Sequence, residues 1–332
     1  MMSPERRARH ERISTSLATR DDVELAALVD SGRDGSVGVG GGSVRVDVDG
    51  VPVFAKRIPL TNLERANPHS TANLFDVPTF CQYGVVSPGF NTWRELAANM
   101  AVTDAVLAGE TESFPLLHHW RILPGRPPVA TEHANIDAVV ARLDGHPAVR
   151  ARLEALAAAS HSLVLFSEYI PHAVHGWLRD DPAGKAATVE RQLSEIVTVL
   201  RQRELLHMDG HFENIRTDGE RLYLTDFGLA TSPRFDLSPA ERDFAHRNAT
   251  HDADYAAMRL VNWLVIAVCG APMDHPPIAR NEYVRRCAAG HVPDDVPPTV
   301  TAILTRHAPA AARMNDFYWR LFDGEVSAEY PG

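Results

Sequence analysis

Read from its N-terminus, the chain changes hydrophobic period several times, and each change marks an element. Residues 1 to 30 carry a helical pattern that is polar at the start, with Arg6, Arg7, Arg9 and Arg12 close together. This predicts a helical extension whose first turns are either solvated and frayed or a docking face for an anion. Val37 and Val39, a glycine cluster at Gly40, Gly41 and Gly42, then Val44, Val46 and Val48 alternating with Arg45 and Asp47 predict strand, loop and strand. Asp49-Gly50 is a hairpin turn signal, and Val51, Val53, Phe54, Ala55 and Lys56 form a third antiparallel strand behind it.

Residues 58 to 90 lose all periodicity and are rich in Asn, Pro, Thr and Gly, which predicts a lid or a packed insertion. A helix is predicted over residues 91 to 107, opened by Thr92 with Glu95 three positions on. A strand is predicted at 114 to 123, one or two Ala-rich helices at 136 to 159, and a buried strand at 162 to 170 that Pro171 ends. From Ala186 onward Val189, Leu193, Ile196, Val197 and Leu200 mark one face of an amphipathic helix. Asp218-Gly219 then turns a short hairpin between residues 214 to 216 and 222 to 224, and everything after about Ser238 is helical. The fold class is α+β, with a small antiparallel sheet first and a mainly helical part after it.

Composition narrows the partners. The 332 residues are 45% hydrophobic and 23% charged, with a formal charge of -10, so a broad attraction to nucleic acid or anionic lipid is not expected. Of the 33 basic residues only two are lysines, Lys56 and Lys185. Arg replaces Lys wherever a solvated positive charge suffices, but not where a slim ammonium must fit, so both positions merit a look, and Lys185, in Pro182-Ala183-Gly184-Lys185, reads as an exposed turn residue. Cys81, Cys269 and Cys287 are odd in number and widely spaced, which argues against a disulfide framework. The apolar run at 260 to 271 is too short for a bilayer. A cytoplasmic protein is the expectation.

The chemistry is concentrated in two short segments. His207-Met208-Asp209-Gly210-His211-Phe212-Glu213-Asn214 follows a predicted helix and places an Asp and an Asn five positions apart. Twelve residues past Asn214, across the hairpin, comes Asp226-Phe227-Gly228. Together they resemble the protein kinase superfamily, in its catalytic loop HxDxxxxN and its DFG segment. With the glycine cluster and Lys56 in chain order, the resemblance spans roughly residues 35 to 270. His207 and His211 also stand four apart, as a zinc pair would, but Gly210 argues against a regular helix there.

The resemblance implies a two-lobed kinase-like fold: a helical extension at 1–30, a sheet lobe at 31–170 with insertions at 58–90 and 124–161, and a helical lobe at 171–332 with the catalytic loop and acceptor site. It implies ATP and Mg2+ as co-substrate and metal. Asp209 becomes the catalytic base, and Asn214 and Asp226 the metal ligands. Gly40, Gly41, Gly42 and Ser43 become the phosphate loop, and Lys56 the strand lysine. Glu168 and Ile170 offer main-chain carbonyl and amide to adenine. The lysine's partner maps to Glu95, although Thr92 and Glu95 also read as a capping box that would occupy the carboxylate.

His211, two residues after Asp209, resembles the aminoglycoside and choline kinase-like branch, in which His is common there, whereas protein kinases carry Lys. No Ala-Pro-Glu follows Gly228, and Ser238-Pro239-Ala240-Glu241 starts a helix only ten residues on. The expectation is phosphate transfer to a hydroxyl of a small molecule. The alternatives are a Ser/Thr protein or peptide kinase and a nucleotide-binding pseudokinase scaffold. Asp274, Asp294, Asp295 and Asp316 are either a cation-attracting rim for the acceptor or a plain solvated acidic face.

Overall fold

The computed structural model describes residues 2–38, 40–273 and 275–332; Val39, expected in the first strand, and Asp274 lie outside the described residues. Ser3 caps α1 (Pro4–Ala18), its hydroxyl accepting from the Arg6 amide, and an Asp21/Glu24 capping box opens α2 (Asp22–Asp30). The strands that follow are β1 (Arg33–Gly38), β2 (Gly41–Val48) and β3 (Val51–Leu60). Asp49 and Gly50 between the last two both take positive φ, 52° and 77°, as the hairpin signal requires. With β4 (Leu117–Pro124) and β5 (His161–Glu168) they make one antiparallel sheet of order β1-β2-β3-β5-β4.

One face of this sheet, with Val46, Val48, Val53 and Phe166, buries Ile13, Leu17 and Leu25 of the first two helices. The start is therefore solvated on one side and docked on the other: Arg7, Arg9 and Arg12 are exposed, whereas Arg6 is 8% exposed and Ile13, Leu17, Leu25 and Val29 join the sheet's core. The other face packs Ile58, Leu60, Leu163 and Leu165 on Trp93 and Leu96.

The unpatterned stretch is packed, not open. β3 runs on through Leu60, α3 (Asn62–Ala66) follows, and a short 3-10 turn spans Thr79–Tyr83 before α4 (Thr92–Leu107). The Ala-rich region forms two helices, α5 (Ile136–Arg142) and α6 (Pro147–Ala157). Val77, Cys81 and Phe90 of the first insertion share a core with Val139, Val140, Val149 and Leu153 of the second. The two insertions thus cover each other's apolar side chains.

The helical half opens with β6 (His172–Ala173) and α7 (Val174–Arg179), followed by α8 (Pro182–Gln202). β7 (Ile215–Thr217) and β8 (Leu222–Leu224) join β6 in a small antiparallel sheet. Then come α9 (Pro239–Arg247), α10 (His251–Ala267), α11 (Ile278–Ala288) and α12 (Pro298–Phe322). Val189, Leu193, Ile196 and Leu200 of α8 lie in one core with Leu260, Val261 and Leu264 of α10 and with Ile303 and Leu304 of α12. Lys185, expected as an exposed turn residue, is half-buried in the first turn of α8. Its Nζ donates to the Trp177 carbonyl at 2.6 Å and to the Asp180 carbonyl, and it lies over the Trp177 ring, closing the end of α7. Among the described residues no helix is long and apolar enough to cross a membrane.

Candidate functional site

A cavity of about 1310 Å³ opens between the sheet and the helical half, and the chemistry-bearing residues converge on it. Lys56 stands in the middle of β3, paired in register with Ser43 on β2 and Leu165 on β5. Its Nζ donates to Glu95 Oε1 at 2.7 Å and to Asp226 Oδ1 at 2.8 Å. Burial favours the neutral amine, yet the Asp226 and Glu95 carboxylates overrule it and raise the Lys56 pKa. Burial pushes Glu95 up to about 7 against the pull of Lys56. For Asp226 burial is outweighed by Lys56, so its pKa is lowered and its charge is kept.

The capping-box reading of Glu95 fails for a visible reason. The cap of α4 is Asn91, which accepts from the Trp93 amide at 2.9 Å, and the Thr92 amide donates to Glu64 Oε1 at 2.7 Å. Glu64 meets a helix-end amide, and Glu95 is left to point inward at Lys56.

Asp209 is held by its backbone. His207 and Met208 donate their amides to the Asp252 carboxylate at 2.6 and 3.0 Å, and Met208 takes a φ of 67°. The His207 ring is buried. Its Nε2 meets the Thr225 carbonyl at 3.0 Å, and its Nδ1 accepts the Asp209 amide at 3.2 Å. Both ring nitrogens are thus engaged, which removes His207 from any zinc pair. Among the described residues no group of three or more His, Cys, Asp or Glu side chains is arranged to hold a metal. Asn214 Nδ2 donates to the Asp209 carbonyl at 2.9 Å and to Asp209 Oδ2 at 3.2 Å. Burial first, then repulsion from Asp226, pushes the Asp209 carboxyl up to about 7. His211 Nε2 is 3.6 Å from Asp209 Oδ2, and burial followed by Arg259 lowers its pKa, so it stands beside Asp209 as a neutral imidazole.

Asn214 and Asp226 fit a magnesium ion by donor chemistry. With its Nδ2 turned to Asp209, Asn214 has its amide oxygen to offer. Asp226 uses Oδ1 on Lys56 and on the Gly228 amide, and its side chain is 39% exposed, leaving Oδ2 as a second hard oxygen.

The glycine cluster works differently from its reading as one loop. Gly41 and Gly42 belong to β2, and only Gly40 is in the turn. A Cβ on Gly40 would lie 3.0 Å from Lys56 Nζ, so this glycine lets the hairpin come down onto the lysine. Gly41, at φ +122°, would meet the Arg57 carbonyl at 2.3 Å, and Gly42 would meet Pro127 at 2.8 Å. Gly42 packs against Pro127 and does not line the cavity, whereas Gly40, Gly41 and Ser43 do. The Ser43 hydroxyl is 2.8 Å from that of Ser36 across the hairpin.

Glu168 and Ile170 line the same cavity where β5 leaves the sheet. The Glu168 amide donates to the Leu116 carbonyl at 2.8 Å, and the Ile170 carbonyl accepts from Arg216 at 3.2 Å. The acidic rim expected in the last third is not at the cavity. Asp294, Asp295 and Asp316 do not line it, and Asp316 pairs with Arg285 at 2.6 Å. Asp274 lies outside the described residues.

Sequence reasoning missed Asp252 and Glu64. Asp252 lies in the first turn of α10 with no motif around it. Glu64 was findable, since Thr61 and Glu64 are spaced as a capping box. Comparison with protein-family models and with curated proteins finds no match to this chain.

Proposed function

We propose that this chain is an ATP- and magnesium-dependent phosphotransferase of the protein kinase-like superfamily, acting on a hydroxyl of a small molecule. The observation that carries the reading is the convergence of Lys56, Glu95, Asp226, Asp209 and Asn214 from β3, α4 and the two segments flanking the β7–β8 hairpin. These are the parts phosphoryl transfer needs: a fixed cation for phosphate oxygens, hard oxygen ligands, and a carboxylate to orient the attacking hydroxyl. Bound between Asn214 and Asp226, magnesium would supply charge neutralisation at the phosphates. Lys56, held by Glu95, grips phosphate oxygens beneath Gly40. Asp209 takes up or positions the hydroxyl proton, and Asn214 fixes the rotamer of Asp209 through its amide.

The acceptor side favours a small molecule. The first insertion lies directly on the catalytic segments: a Cβ on Gly84 would be 3.5 Å from Asp209 Oδ1, and Gln82 donates to the Leu229 carbonyl. Ser238 starts α9 soon after Gly228, with its capping box formed. These contacts bring the chain itself close to Asp209 on the side where the acceptor would lie, which supports a compact acceptor over an extended peptide.

Transfer of labelled γ-phosphate from ATP to panels of amino sugars, nucleosides and other hydroxy compounds, alongside peptides and proteins, tests this. Label on a small hydroxy compound is expected; label on Ser or Thr of protein with every small molecule inert would reverse the choice. Lys56→Arg provides a second check. The side chain is 12% exposed, with its ammonium between two carboxylates and close under Gly40, a site that suits a compact point charge better than a planar guanidinium. Affinity for magnesium-ATP and turnover should fall at least about tenfold, or 1.4 kcal/mol, while the melting profile stays cooperative. Calorimetric titration with the nucleotide reads this directly.

A further inference from the structure

Arg6, in α1, uses its guanidinium on three partners at once. Nε lies 3.1 and 3.0 Å from the two Glu168 carboxylate oxygens, and Nη2 donates to Oε2 of the same residue at 2.6 Å. Nη2 also donates to the Phe114 carbonyl at 2.7 Å, and Nη1 to the Glu112 carbonyl at 3.2 Å. Both side chains of the pair are 9% exposed, and Arg9 adds a contact of 3.0 Å to Glu168 Oε1. A buried, forked pair of this kind fixes geometry in a way an exposed ion pair does not.

The partners belong to different parts of the molecule. Glu168 ends β5 at the cavity rim. The segment beside it bridges both halves: its Leu116 carbonyl accepts the Glu168 amide, and its Ser113 carbonyl accepts the Leu224 amide of β8 at 3.0 Å. The Phe114 ring is 6.2 Å from that of Phe227. The Arg6 guanidinium also lies over the ring of Tyr223 on β8. α1 itself is divided, with Met2 just before it in the core of the helical half and Ile13 and Leu17 in the core of the sheet.

We propose that Arg6 is a positioning residue for the base-binding rim of the cavity. By drawing the Glu168 carboxylate away into a buried pair, it fixes the main chain of residues 168 to 170, which then presents to adenine, and it acts independently of the phosphate grip at Lys56. The inference rests on the phosphotransferase reading above.

The test uses the full chain with Arg6→Gln and, should that variant not fold, Arg6→Lys, which keeps the charge but lacks the fork that reaches Glu168 and Phe114 together. Each is titrated with the magnesium complexes of ATP, GTP and inorganic tripolyphosphate. The expected result is about a tenfold loss for ATP, equal to 1.4 kcal/mol, an ATP-to-GTP preference moved toward one, and unchanged tripolyphosphate binding. Amide exchange at residues 168 to 170 and 222 to 224 should quicken in the nucleotide-free variant. Equal losses for all three ligands, or none, would overturn the positioning role. Failure of the unaltered chain to bind either ATP or tripolyphosphate would instead sink the phosphotransferase reading, and exchange rates unchanged by the variant would then reject Arg6 as a brace on their own.

Discussion

An Asp209→Asn variant is expected to fold, to bind magnesium-ATP, and to transfer phosphate about 10²- to 10⁴-fold more slowly, the usual worth of a positioned acid or base. Asn is nearly isosteric with Asp, and its amide oxygen can still accept from Asn214 Nδ2, which now donates to Asp209 Oδ2 at 3.2 Å. The loop that carries it is braced from the backbone by Asp252, so the substitution removes the proton acceptor without moving the chain. Lys56 and Asp226 are untouched, so nucleotide affinity should stay within about threefold, or 0.65 kcal/mol. Asp226→Asn should behave oppositely. It weakens the partner of Lys56 and one expected metal ligand together, so magnesium-dependent nucleotide binding is lost first. Single-turnover transfer rates beside nucleotide titrations separate the two. Unchanged transfer in Asp209→Asn would remove Asp209 from the reaction and leave a scaffold that only binds nucleotide.

The residues of this cluster were legible because their chemistry forces residue types at fixed spacing: an Asp and an Asn across a short loop, an Asp after a hairpin, a lysine in a strand. What was not legible is what depends on partners distant in the chain. Four arginines near the start look solvated in sequence, yet Arg6 meets Glu168 across 162 positions, and nothing local announces that. Thr92 and Glu95 have the spacing of a capping box, but the cap went to Asn91 and the Thr92 amide to Glu64, so local propensity lost to a tertiary contact. Gly41 and Gly42 matched a phosphate loop by composition, and the reason for each is a close neighbour, the Arg57 carbonyl and Pro127. The aspartates at 294, 295 and 316 showed that charge in sequence says little about which surface carries it.

The largest stability effect is expected at Glu64, which is fully buried and binds four groups. Its Oε1 accepts the Thr92 amide at 2.7 Å and pairs with Arg152 Nη2 at 2.9 Å; its Oε2 accepts the Thr61 amide and hydroxyl at 2.9 and 2.7 Å. Arg152 is also buried, its Nε and Nη1 have no hydrogen-bond partner among the described residues, and its guanidinium lies over the Phe75 ring. Glu64→Gln removes the one carboxylate that, among the described residues, pairs with that cation, and stranding a buried charge costs about 3 to 5 kcal/mol. That is a large share of the roughly 5 to 15 kcal/mol that holds a typical domain together. Since Thr92 begins α4, loosening it also loosens Glu95 and so the pair that aims Lys56. Burial alone would raise the Glu64 pKa, but Arg152 and the hydrogen bonds hold it below the ordinary 4.5. A depressed carboxyl contributes stability that is fully present above the unfolded value and lost as pH falls through the folded one. Urea unfolding should therefore show the difference between the natural chain and Glu64→Gln in full near neutral pH and shrinking in acid below about 4.5. The double variant Glu64→Gln with Arg152→Met should recover much of the loss, because the cost lies in the unpaired cation rather than in the missing carboxylate. A double variant as unstable as the single one would place the cost in the lost amide contacts of Thr61 and Thr92 instead.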